Sequence, residues 1–202
     1  MYYLLLPFLS IICLFTLGSD YLTSYGQLQN SSINESNTPP SNAGEWTIYK
    51  NEKIGFSFEY PNDWDLEEKQ NRFETTTADA AVSNGVTKFA VLKAIDRSDS
   101  NPLKPSTIQD DTEKLEQSIA RLPGNTIIEH ADTKKYDIGG EKTGTFLVTS
   151  SDGASQTAIQ SFFVVHDGDG WMLNFMDSTE TFDSTETQDT LNRILVSFKF
   201  LS

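Results

Sequence analysis

The stretch WTIYKNEKIGFSFEYPNDW, residues 46–64, decides how the chain is read. Apolar residues at every second position mark a strand with one buried face. Phe56, Phe58 and Tyr60 share one such face, and Ser57 and Glu59 share the other. Before them, Trp46, Ile48 and the stem of Lys50 are expected to line one face of a partner strand, with residues 51–55 reversing the chain. Pro61 lacks an amide hydrogen and disfavours helix at Tyr60, so the ladder ends there. Asn62 and Asp63 suit the turn that follows and aims Trp64 back at the sheet. Each large ring buried here contributes on the order of 3 kcal/mol, so the cluster reads as a core nucleus rather than a ligand platform. It is expected to pack beneath a helix at 107–122.

Working towards the C-terminus, Leu66 and Glu68 precede a third strand expected at 73–77. Asn84-Gly85 supplies a tight turn. Residues 87–95 then alternate, with Phe89, Val91 and Lys93 opposed to Ala90, Leu92 and Ala94, as a central strand requires. Residues 96–106, with Pro102 and Pro105, form a polar connection. Thr107 starts the clearest helix, its hydroxyl placed to cap the amide three residues on while Asp110 faces back. Ile108, Thr112, Leu115, Ile119 and Leu122 make the buried stripe, and Pro123-Gly124 ends it.

Extended segments at 126–130, 143–149, 156–166 and 171–176 follow. They are separated by Asp137-Ile138-Gly139-Gly140, Ser150-Ser151-Asp152-Gly153 and Asp167-Gly168-Asp169-Gly170. Asp-Gly accommodates the left-handed conformations of hairpin turns, so these strands are antiparallel neighbours. A second helix lies within 184–196, capped by Ser184 and packed through Leu191, Ile194, Leu195 and Phe198. Residues 197–201 finish as a short strand or tail. The elements add up to an α+β fold, a twisted antiparallel β-sheet packed with α-helices, in two layers or as α-β-α.

Towards the N-terminus, residues 2–18 are apolar apart from a few hydroxyls, with no lysine or arginine before them. The run is short for a membrane span and contains Pro7. The reading is a signal peptide over residues 1–18, cut near Gly18 or Ser19, with a short N-terminal membrane anchor as the alternative. Cys13, the single cysteine, lies inside this run without the small residue that normally precedes a lipobox cysteine. Residues 19–45 are rich in Ser, Asn and Pro and read as a disordered linker. Asn30 and Asn34 in it are formal N-glycosylation acceptors. Residues 46–202 then have the usual size of one domain.

All 15 basic residues lie from Lys50 onward, and only Asp20, Glu35 and Glu45 of the 29 acidic residues precede Trp46, which leaves the domain at −11. Such a field repels phosphate backbones, so nucleic acid is excluded as a partner. The domain has no cysteine, which removes thiol chemistry and soft-metal sites.

No catalytic, cofactor-binding or metal-binding residue is assigned. His130 and His166 are the two histidines. Ser161 and Asp167 flank His166 in sequence, but alternation along a strand does not assemble a triad. GxSxG, HExxH, Walker and dinucleotide patterns are missing. Asp167 and Asp169 resemble the opening of a calcium loop, yet Ser178 stands at the twelfth position, where an EF-hand carries glutamate. A hairpin turn is the expected reading.

The order Gly55-Phe56-Ser57-Phe58, Tyr60-Pro61 and Trp64 resembles the start of a PsbP-like domain, in the superfamily that also holds the Mog1-like proteins. The resemblance extends over residues 46–200, closing at ILVSFKF, residues 194–200. It implies a single domain of Mog1/PsbP-like fold. PsbP-like proteins are generally extrinsic, non-enzymatic subunits or assembly factors on the lumenal side of photosystem II, related domains are exported in organisms without photosystems, and Mog1-like members bind a small GTPase. The matched positions Gly55, Phe56, Phe58, Tyr60, Pro61 and Trp64 carry structure, and no metal-associated residue transfers onto this chain. The leading expectation is therefore an exported or membrane-tethered, non-enzymatic protein-binding module without cofactors, tethered through residues 2–18 if they are retained. The alternatives are a photosystem II-associated extrinsic or assembly factor, and an extracytoplasmic enzyme without a recognised motif. A polar cleft favours the enzyme, and a flat apolar patch rimmed by charge favours the binding module.

Overall fold

The computed structural model describes residues 44–68, 78–95, 103–151 and 155–201. The segment 1–18, the linker up to residue 43 with Asn30 and Asn34, and the third strand expected at 73–77 lie outside these residues. The opening hairpin forms as its pattern dictates: β1, Trp46–Asn51, pairs antiparallel with β2, Phe56–Pro61. Asn51 caps the turn by accepting the amides of Lys53 and Ile54, and Gly55 takes φ 98° to close it. Trp64 folds back and is buried.

One expectation fails in β1. Tyr49, not Ile48, faces the core: Tyr49 is 6% exposed and Ile48 is 70% exposed. Residues directly opposite one another in an antiparallel pair share a face. The register sets Tyr49 against Phe58 and Ile48 against Glu59, so the face of Trp46, Ile48 and Lys50 is the outer one.

A short strand β3, Asp65–Glu68, then begins the main sheet, followed by β4, Ala80–Ser83, and β5, Lys88–Ile95. After a 3-10 turn at Pro105–Thr107 come helix α1, Ile108–Ala120, and the long strands β6, Asn125–Ile138, β7, Glu141–Ser151, β8, Gln156–His166, and β9, Asp169–Ser178. Helix α2, Thr185–Ser197, and a two-residue β10, Lys199–Phe200, end the fold. The seven-stranded sheet has the order β3-β4-β5-β9-β8-β7-β6, antiparallel throughout, and β1-β2-β10 form a separate three-stranded sheet. The β8–β9 turn is only Asp167-Gly168, at φ 49° and 83°, because Asp169 already pairs with His166.

The central strands are buried on both faces, which resolves the layer count. One face meets Ile108, Leu115 and Ile119 of α1 through Phe146, Val148, Phe163 and Met172. The other meets the small sheet and α2 through Phe89, Phe162, Trp171 and Phe175. The architecture is thus three layers, with α1 outside on one side and the small sheet with α2 on the other. The aromatic cluster of β2 consequently packs with Leu191, Ile194 and Phe198 at α2, not beneath the 107–122 helix as the sequence suggested.

Both helices bury the stripes expected of them, apart from the half-buried Leu122. Ser184 caps α2 by accepting the Thr187 amide at 3.2 Å. Thr107 departs from its expected role. Its hydroxyl lies 2.9 Å from both the Lys104 carbonyl and Asp111 Oδ2, so the preceding 3-10 turn rather than a side-chain cap starts α1. The helix crosses β7 at Gly144, where an added Cβ would collide with the buried Thr112 hydroxyl.

Candidate functional site

The residues with chemical potential in the sequence are placed apart or in structural roles. His130 lies on β6 with its side chain 84% exposed and Nδ1 2.6 Å from Glu116 Oε1 of α1. Glu116 Oε2 also accepts the Ala131 amide at 2.6 Å, and Gln109 Nε2 donates to the Ala131 carbonyl at 3.3 Å. Ala131 sits where the β6–β7 register shifts. The α1 side chains therefore satisfy backbone groups that the irregular ladder leaves over.

His166 ends β8 on the sheet face opposite α1. Its ring stacks on Phe200 at 4.0 Å, with Nδ1 3.0 Å from Glu141 Oε1 and Nε2 3.5 Å from Asp167 Oδ2. Ser161, five positions back on β8, points to the other face and donates to Asn174 Oδ1 at 2.8 Å. A Ser-His-Asp arrangement is thereby broken by strand parity. Asp169 pairs with Lys93 at 2.6 Å, and among the described residues no group of three or more His, Cys, Asp or Glu is arranged to hold a metal.

A different group of side chains converges on the outer face of β1 and α2. Trp46 and Ile48 are two apart on one strand face. Arg193 lays its guanidinium over the Trp46 ring at 4.1 Å and reaches Glu59 Oε2 with Nη2 at 3.1 Å and Nε at 3.3 Å. Val196, 85% exposed, is three residues further along α2 and so neighbours Arg193. Ser197 Oγ fixes the helix end to the sheet by accepting the Glu59 amide at 2.8 Å. At the other end of β1, Lys50 pairs with Glu52 at 2.7 Å and holds its carboxyl below the usual range.

The face thus sets exposed Ile48 beside Trp46 on β1, with charged groups already oriented by one another, and Val196 stands exposed next to Arg193 on α2. Beneath the face, Tyr49 anchors β1 to the large sheet by donating to Glu68 Oε1 at 2.6 Å while accepting from Asn51 Nδ2 at 2.8 Å. Burial pushes the Tyr49 phenol well above its ordinary range, and the bond to Glu68 pushes it further.

Sequence reasoning missed this face because it put Ile48 inside. Val196 did carry a signal, since it falls off the stripe of Leu191, Ile194, Leu195 and Phe198. Arg193 carried none, because its partners Trp46 and Glu59 are more than 130 positions away.

Among the described residues no helix is long and apolar enough to cross a membrane. Solved structures that share the fold include two with nearly their full length covered. LpqN of Mycobacterium tuberculosis, described as involved in cell envelope biogenesis, is 14% identical, with 78% of this chain and 91% of that chain covered and a TM-score of 0.51. Cyanobacterial PsbP (CyanoP) from Synechocystis sp. PCC 6803 is 13% identical, with 82% of this chain and 98% of that chain covered and a TM-score of 0.51. No curated protein matches the sequence. The family profile described as PsbP-like protein matches residues 6–200, nearly the whole chain and further towards the N-terminus than the resemblance at 46–200 reached. The aromatic hairpin, the three-layer α+β fold and this match agree, and the chain belongs to the PsbP-like protein family.

Proposed function

We propose that this protein is an extracytoplasmic, non-enzymatic binding module, and that the β1–α2 face docks a protein partner with an apolar contact ringed by basic side chains. The carrying observation is the Trp46–Arg193–Glu59 group set between Ile48 and Val196. Trp and Arg are enriched among residues that dominate interface energetics, and here both are held in place before any partner arrives. The two most exposed large apolar side chains among the described residues, Val196 and Ile48, neighbour Arg193 on α2 and Trp46 on β1 respectively. The basic character of the partner follows from the −11 field of the domain, which attracts and orients positive surfaces. The apolar run at 2–18 supports delivery to the far side of a membrane, cleaved or retained. The separate placement of His130 beside Glu116 and of His166 beside Glu141 and Phe200 favours a binding role over a catalytic one.

The test is a photo-cross-linking amino acid placed in the native host at Ile48, at Val196 and, as control, at Ile128, which is 54% exposed on β6. The reading expects the same basic protein to be captured from positions 48 and 196, in an extracytoplasmic fraction, with capture weakened by added salt. Capture from position 128 alone, of an acidic protein, or equally from all three positions refutes it.

A further inference from the structure

We infer that the free edge of β1 is a strand-addition site, which takes an extended, basic segment of a partner protein as a further strand of the small sheet. The inference deepens the binding role proposed above and rests on it, because it states how the partner is held.

Residues along an antiparallel pair alternate between those whose N–H and C=O bond the neighbouring strand and those whose groups turn away from it. Two hydrogen bonds fix the alternation in β1. The Asn62 amide donates to the Glu45 carbonyl at 3.1 Å, one step beyond the Trp46–Pro61 pair, so the backbone groups of Glu45, Thr47 and Tyr49 face β2. Glu59, which stands opposite Ile48, gives its amide hydrogen to Ser197 Oγ at 2.8 Å and not to β1. The N–H and C=O groups of Trp46, Ile48 and Lys50 therefore point away from β2. β1 is the last strand of its sheet, and among the described residues these groups have no hydrogen-bond partner.

Soluble proteins blunt such edges with proline, bulges, charge or extreme shortness. β6, at one margin of the large sheet, follows the rule, since its register shifts repeatedly. β1 does not: its six residues contain no proline and pair with β2 in unbroken register. Its one lysine, Lys50, is held by Glu52 at 2.7 Å. Added strands gain affinity from main-chain bonds and specificity from alternate side chains. Here the residues that offer the bonds also carry the outer-face side chains, so a strand laid along the edge meets Ile48 as it pairs.

The surroundings select the occupant. The bond from Tyr49 to Glu68 brings β3 to the same flank, and β3 is exposed along its whole length, with Asp65, Glu67 and Glu68 as its acids. Leu66, also exposed, shares the face of β3 that carries Glu68. The nearby cations are already paired, Lys50 with Glu52 and Arg193 with Glu59. A strand alternating lysine or arginine with aliphatic residues thus finds carboxylates and the apolar Ile48 and Leu66. An acidic strand is repelled, and a second copy of β1 would bring another domain of charge −11 with it.

Full-length labelled protein, titrated with a soluble peptide of alternating lysine and valine, tests this by amide NMR and hydrogen exchange. Without peptide, the Trp46, Ile48 and Lys50 amides are expected to exchange fast and those of Thr47 and Tyr49 slowly. With peptide, the first three become protected and show nuclear Overhauser contacts to its backbone. Ile48→Pro deletes an outward N–H without touching the β1–β2 ladder and is expected to weaken binding about tenfold, the worth of one lost hydrogen bond. The same peptide N-methylated at every amide, and a glutamate–valine peptide, are expected not to bind the unaltered protein. No binding of the lysine–valine peptide, binding that leaves the three amides unprotected, or equal binding of either control overturns the inference. Protection that grows with protein concentration in the absence of peptide assigns the edge to a second copy and overturns it too. Cross-linking from positions 48 and 196 reads the docking face separately: a partner captured there while the edge amides stay unprotected sinks strand addition alone, and peptide pairing without capture sinks the docking face alone.

Discussion

Phe58 is the residue on which the two readings of the opening stretch diverge most in magnitude. It is 1% exposed, with ring centroids of Phe89 at 5.1 Å, Tyr49 at 5.3 Å, Phe56 and Tyr60 at 6.2 Å and Phe198 at 6.4 Å. Truncating a buried phenylalanine to alanine costs about 3–5 kcal/mol through lost transfer energy and the cavity left behind. Ring pairs add about 0.5–1.5 kcal/mol beyond buried area, and here five rings lose their common neighbour, so Phe58→Ala belongs at the upper end, about 4–5 kcal/mol. That is a large share of the roughly 5–15 kcal/mol that holds a domain folded.

The neighbouring strand supplies the control. Ile48→Ala removes a large apolar side chain that is 70% exposed, and a surface change of this kind stays within about 0.5 kcal/mol. Urea unfolding followed through the buried Trp64 and Trp171, with linear extrapolation, reads both variants. A loss below ~1 kcal/mol for F58A refutes the core role of the aromatic cluster, and one above ~2 kcal/mol for I48A refutes the register that puts Tyr49 inside and Ile48 outside.

Asp177 is 1% exposed and accepts from Thr181 Oγ1 at 2.9 Å, Thr187 Oγ1 at 3.0 Å and the Ser178 amide at 2.7 Å. Asp177→Ala strands those donors at the start of α2 and is expected to cost about 3 kcal/mol in the same urea assay; wild-type stability would show that the bonds are dispensable. Tyr49 is held protonated in the folded protein, its pKa raised above the ordinary value of about 10 first by burial and then by Glu68. Its contribution to stability is therefore complete below about pH 10 and is lost as pH rises beyond it, because the unfolded chain gives up that proton first. Denaturation midpoints from pH 9 to 11 are expected to fall more steeply for the wild type than for Tyr49→Phe, and parallel curves would refute the assignment.

Much of the fold was legible because its signals are local. Alternation in 56–60 and 87–95, the turn at Gly139-Gly140, the stripe from Ile108 to Ile119 and the Ser184 cap each act within a few residues, and each forms as read, while the Asp152-Gly153 turn lies outside the described residues. The Asp167-Gly168 turn is shorter than expected because pairing continues through Asp169, which a turn signal alone does not reveal. At Thr107, capping chemistry lost to a preceding 3-10 turn that begins at Pro105. The β1–α2 face was not legible, since one residue of register separates an inward Ile48 from an outward one.

An acidic α+β domain was legible from sequence alone, because composition, period and turn chemistry are properties of short stretches, and the PsbP-like family entered through the resemblance carried by residues 55–64. Tertiary structure decided which helix covers which aromatic cluster, that β5, β8 and β9 are buried on both faces, and that Arg193 meets Trp46 and Glu59. Those outcomes depend on pairing between segments far apart in the chain. Burial on both faces of a sheet erases the polar side of the alternation, leaving nothing in a strand such as SFFVV to say which layer lies on which side.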